Sequence, residues 1–160
     1  MPREFTRYAL IAAGFAIGLQ VALVIAGFGF VYLLTGIQPI GDPEAGVVVG
    51  PMAVGVSTLA FGAVLLAIAL SPPERQRVRI WAGLIAGVVA WAGYVIAGTI
   101  GLGAVHGELG TAAAAMLGGG FAWIVLVAGC LVGTTYTWVL ASRREGRGRP
   151  RWPWEDDADE

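Results

Sequence analysis

The chain has 160 residues, of which 57% are hydrophobic and only 13% charged, where a soluble domain carries about a quarter charged. One domain is expected at this length, much of its surface must face something other than water, and a net charge of −1 offers no basic face to nucleic acid. The single cysteine, Cys130, and the single histidine, His106, exclude an intrachain disulfide, a paired-thiol redox motif and a histidine-rich metal site within one chain, so neither a metal nor a cofactor is expected.

In chain order, the first uncharged run has its core from Tyr8 to Gly36, preceded by Arg3 and Arg7. A secretory signal has the same basic start, but its apolar region spans only ~7–15 residues, so this run reads as a retained span. Further runs follow over 46–70, 80–105 and 111–142. Each exceeds the ~20 apolar residues with which an α-helix crosses a ~30 Å hydrocarbon core. Backbone polar groups in lipid must bond within the segment, which selects helices. Barrel strands would be shorter and would alternate, and a soluble core helix would show a polar face.

The connection "IQPIGDPEAGVVVGP" holds Pro39, Pro43 and Pro51. It predicts an ordered turn, with Pro51 in the first turn of the second helix, where its missing N–H is harmless. Arginines occur before the first span, between the second and third (Arg75, Arg77, Arg79) and after the fourth (Arg143, Arg144, Arg147, Arg149, Arg151). The other two connections contain none. Because positive segments stay inside, both termini and the "SPPERQRVR" loop are expected in the cytoplasm. The expected fold is all-α: a polytopic membrane protein of four transmembrane helices, residues 1–142, in an antiparallel bundle of two hairpins. Residues 143–160 form a cytoplasmic tail, basic and then acidic. Its tryptophans, Trp152 and Trp154, are candidates for docking a partner, because an indole suits a half-wet interface.

Small residues four apart let helices approach closely. Gly14 with Gly18, Gly46 with Gly50, Gly83 with Gly87, and Gly129 with Gly133 have that spacing, and Gly93, Ala97 and Gly101 form a further row. The run of three glycines at 118–120 reads either as a loosened helix or as a close contact.

Counting ~1.5 Å per residue from each end brings polar or amphipathic side chains to the membrane midplane: Gln20, Ser57 with Thr58, Trp91 with Tyr94, and Trp123. They read as polar glue between helices, or as an aromatic pocket for a lipid or quinone. Asp42, Glu44, His106 and Glu108 share the outer face and read as hydrated loop ends. Cys130 reads as a small buried residue, and Thr134, Thr135 and Thr137 as hydroxyls bonded to carbonyls one turn back.

No span contains an ionisable Asp, Glu, His, Lys or Arg, which argues against an enzyme and against proton coupling. Four-span thiol oxidoreductases need paired cysteines, and four-span multidrug exporters an acid in the first helix, where this chain has Gln20. In its short basic start, "GVSTLAFG" in the second span and the arginine-rich end with "RWPWEDD", the chain resembles the uncharacterised small four-span membrane proteins of high-GC actinobacteria, a resemblance that implies no activity. The expectation is a structural or accessory subunit of the cell membrane, acting through helix packing and its tail, with the lipid bilayer and other membrane proteins or a second copy as partners. The alternative is a binder or passive carrier of a hydrophobic ligand at the midplane.

Overall fold

A computed structural model describes residues 2–40, 45–71 and 80–144. They form five helices: α1 (Pro2–Thr35), α2 (Gly46–Leu70), α3 (Ile80–His106), α4 (Leu109–Gly118) and α5 (Gly120–Arg144). Within α1, α2, α3 and α5, the segments Phe5–Thr35, Val47–Leu70, Ile80–His106 and Gly120–Arg143 are long and apolar enough to cross a membrane. The protein is a four-span membrane helix bundle. Its outer surface is apolar, with Phe15, Leu33, Leu59 and Val127 all more exposed than buried, as lipid contact requires.

Gly36 ends α1 and Gly107 ends α3, each with positive φ and each donating its N–H to the carbonyl four residues back, on Tyr32 and Gly103. This is the left-handed C-terminal cap that glycine adopts without a β-carbon penalty.

The fourth apolar run differs from the continuous helix read over 111–142. It is broken at Gly119, whose backbone is extended (φ −72°, ψ 135°) while its N–H still caps Ala115. Three successive glycines carry the highest backbone-entropy cost of any non-proline residue, and here the helix gives way. Pro51 also sits deeper than expected. With α2 starting at Gly46 it is the sixth helical residue, so the Val47 carbonyl one turn back has no N–H to accept from.

Helix α3 packs extensively against both α2 and α5, and α1 completes the bundle by contacting α2 and α5. The α3–α5 contact is made by glycine. A β-carbon on Gly83 would strike the backbone of Gly133 and Thr134, and one on Gly87 the backbone of Cys130. Reciprocally, Gly129 abuts Gly87 and Gly133 abuts Gly83. Two of the small-residue pairs thus pack on each other. Gly93 lies against Ser57 and Ala60, and Gly101 against Val49, which sets α2 on the other flank of α3. Gly14 and Gly18 do not join this packing: both face outward with nothing near their missing side chains.

Candidate functional site

The buried stripe of α1 is Ala9, Ala13, Ala16, Gln20 and Val24, and that of α2 is Val49, Ala53, Ser57, Phe61, Leu65 and Ala69. Both follow the three- and four-residue steps of one helical face, so Gln20 and Ser57 are carried inward in phase with small apolar neighbours. On α3, Tyr94 takes the same inward phase as Ala90 and Ala97. Gln20, Ser57 and Tyr94 are each about 1% exposed.

Four buried polar atoms here have no hydrogen-bond partner within the protein: Gln20 Oε1, Ser57 Oγ, Trp91 Nε1 and Tyr94 OH. They comprise one carbonyl acceptor and three groups able to donate. Ser57 lies beside Gly93, and the Tyr94 ring meets Phe28 of α1 edge-on at 5.9 Å. Phe28 in turn packs edge-on against Phe121 at 5.1 Å.

The remaining midplane residues are placed differently. Thr58 donates its hydroxyl to the Val54 carbonyl at 2.8 Å. Trp91 and Trp123 lie with ring centroids 6.2 Å apart, but Trp123 is 53% exposed and points toward lipid. Gln20, Ser57 and Tyr94 are core, Thr58 and Trp123 border separate cavities, and Trp91 connects the core to Trp123.

A cavity of about 930 Å³ lies elsewhere, between the second half of α1 and the first half of α2. Val21, Ile25 and Phe28 form one wall, Val54, Gly55 and Leu59 the other. Tyr32 and Gln38 stand at the end nearest the α1 terminus, and Thr58 at the inner end. Glycine is what opens it: Gly55 has nothing within 4 Å of the place a β-carbon would occupy. Gln38, Pro39 and Ile40 separate this space from a second cavity of about 680 Å³ reaching Met116 and Gly118–Gly120. Ile40 is 6% exposed and comes within 3.7 Å of a β-carbon built on Gly50, so this segment folds back onto α2. A third groove of about 420 Å³ runs past Trp123, Ile124 and Leu23. Sequence reading found only Thr58 of the main cavity. Its traces in sequence were Gly50, Pro51 and Gly55, a run of small or stiff residues along one helix.

The three threonines of α5 bond as expected: Thr134 to the Cys130 carbonyl at 2.7 Å, Thr135 to Leu131 at 2.8 Å and Thr137 to Thr134 at 2.9 Å. Cys130 is half-buried, its Sγ 3.8 Å from the Leu84 carbonyl. At the loop face, Glu108 accepts from the Thr111 hydroxyl at 3.3 Å. Asp42, Glu44, Trp152 and Trp154 fall outside the described residues. Among the described residues no three His, Cys, Asp or Glu side chains gather as metal ligands would.

The chain belongs to a family of unknown function, DUF6121, whose profile matches residues 1–160. No curated protein and no solved structure matches it.

Proposed function

We propose that this membrane protein is a non-catalytic binder of a hydrophobic ligand drawn from the bilayer, held between α1 and α2. The observation that carries this reading is the cavity of about 930 Å³, at the upper end of the ~300–1,000 Å³ range of ligand sites. Its described lining has no acid, base, histidine or cysteine, which favours holding a ligand over reacting with one. Gln20, Ser57 and Tyr94 are packed into the helix core behind it, their Oε1, Oγ and OH atoms without hydrogen-bond partners in the protein.

Purification in a gentle detergent, followed by lipid extraction and mass spectrometry, tests the proposal. Wild-type protein should retain about one apolar molecule per chain. Gly55→Phe, whose β-carbon would enter open space and whose ring would occupy the cavity, should lose it. Equal retention by both proteins would overturn the reading.

A second reading, an accessory subunit, has its own support in Gly14 and Gly18, which present a small-residue face outward on α1. On that reading Gly14→Leu releases a stoichiometric partner helix, whereas Gly55→Phe does not. Either reading fits two antiparallel hairpins with both ends cytoplasmic. The opposed numbering of Gly83 against Gly133 and Gly87 against Gly129 supports the antiparallel order, and the ten arginines support the orientation.

A further inference from the structure

We propose that the α1–α2 cavity takes one class of ligand: a single-chain amphiphile with an uncharged, hydrogen-bonding head, such as a hydroxyl- or carbonyl-bearing neutral lipid. The proposal rests on the binding role just given to this cavity, and it adds the chemistry of the head and the direction of insertion.

Length argues for one chain spanning one leaflet. From Tyr32 to Val21 the α1 wall runs eleven residues, about 16 Å at ~1.5 Å per residue. That is about half of a ~30 Å hydrocarbon core. The polar groups sit at the two ends. Tyr32 and Gln38 stand where α1 terminates, and Thr58 is at the midplane end with its proton already given to Val54. A head with donors and acceptors therefore belongs beside the Gln38 amide and the Tyr32 phenol, with its tail running inward past Phe28 and Val54.

Charge argues for a neutral head. The described lining contains no cation, so a phosphate there would find no guanidinium or ammonium to offset the loss of its hydration. The mouth is also preformed. Pro39 and Pro51 fix φ on either side, and Ile40 is buried against α2, so little ordering is needed when a ligand enters.

The test uses the full-length protein in phosphatidylcholine nanodiscs with two photoreactive probes, a diazirine-bearing monoacylglycerol and a phosphatidylglycerol carrying the same diazirine chain. Crosslinked peptides are mapped by mass spectrometry. The monoacylglycerol should label the 21–32 and 50–59 segments at least fivefold more than the phosphatidylglycerol does. Gly55→Phe should cut that labelling at least fivefold, Gly14→Phe should leave it intact, and Gln38→Leu should bring the two probes close to parity. In wild-type protein alone, excess unlabelled monoacylglycerol should compete and excess phosphatidylglycerol should not, which keeps the test independent of any variant's folding. Equal labelling by both probes, lowered for both by Gly55→Phe, would overturn the neutral-head assignment and leave an apolar binder. Labelling that neither Gly55→Phe nor a competitor reduces would mean annular lipid only, and would overturn the binding role as well.

Discussion

The guanidinium of Arg143 lies 4.3 Å above the centre of the Tyr8 ring, joining the last turn of α5 to the first turns of α1. Tyr136, two turns earlier on α5, donates its hydroxyl to the Ala9 carbonyl at 3.2 Å. Together these contacts hold the arginine-bearing end of α1. Tyr8→Leu should lower stability by about 0.5–1 kcal/mol, the range of an exposed cation–π pair. Tyr136→Phe should cost about 0.6 kcal/mol, the average for an interhelical bond in lipid. Denaturant unfolding in detergent micelles measures both. A double variant as stable as wild type would show that α1 is held by other contacts.

Gly87 and Gly129 allow α3 and α5 to touch backbone to backbone. Gly87→Leu or Gly129→Leu must separate them and should cost at least the ~1–3 kcal/mol of an overpacked core. Gly14→Leu, with open space at its β-carbon, should be close to neutral. The same unfolding assay ranks the three, and a Gly14 variant as damaging as a Gly87 variant would contradict the packing described.

Gln20 is 1% exposed and its Oε1 is unpartnered. Burying an amide oxygen without a bond costs about 1–3 kcal/mol on protein scales, while an apolar side chain of similar shape carries no such penalty. Gln20→Leu should therefore leave stability unchanged or raise it by about 1 kcal/mol. A loss of ~2 kcal/mol or more would mean that the amide is bonded and works as glue, since breaking a buried bond strands its partner.

Depth was legible in this sequence and azimuth was not. Counting residues from Arg7 to Gln20, or from Ile80 to Trp91, gives a position along the bilayer normal, because helix rise is constant. The side a residue faces must be read from amphipathic contrast. In a lipid-exposed helix inner and outer faces are equally apolar, so that contrast is missing. Trp123 shows the consequence. Its depth matches that of Trp91, yet Ala122 and Val125 take the inward positions and leave Trp123 outside. The Gly83–Gly87 and Gly129–Gly133 contact was legible because glycine spacing marks a face without needing contrast, although the identical spacing of Gly14 and Gly18 points outward. The cavity was not legible, because its volume depends on which side chains of α1 stand opposite Gly50 and Gly55, a relation between two helices that neither segment encodes alone. The break at Gly119 had a clear signal in the triple glycine, whose alternative was a close contact.

The orientation of the bundle decides which leaflet would supply a ligand to the α1–α2 cavity. Ten arginines fall at the chain ends and in the 71–79 connection, and positive segments are retained in the cytoplasm. In a Cys130→Ala background, single cysteines at Gln76, Glu108 and Gly146 report the side of each connection. Cys130→Ala gives up only a weak 3.8 Å contact of Sγ to the Leu84 carbonyl and keeps a small side chain beside Gly87. A membrane-impermeant maleimide applied to intact cells should label Glu108→Cys, and should label Gln76→Cys and Gly146→Cys only after the membrane is opened. The Tyr32–Gln38 mouth of the cavity then belongs to the outer leaflet, because it lies at the same end of the bundle as the α3–α4 connection, with which it shares the second cavity through Gln38 and His106. The reverse labelling pattern would move the mouth to the inner leaflet, where the same neutral lipid would have to enter from the cytoplasmic side.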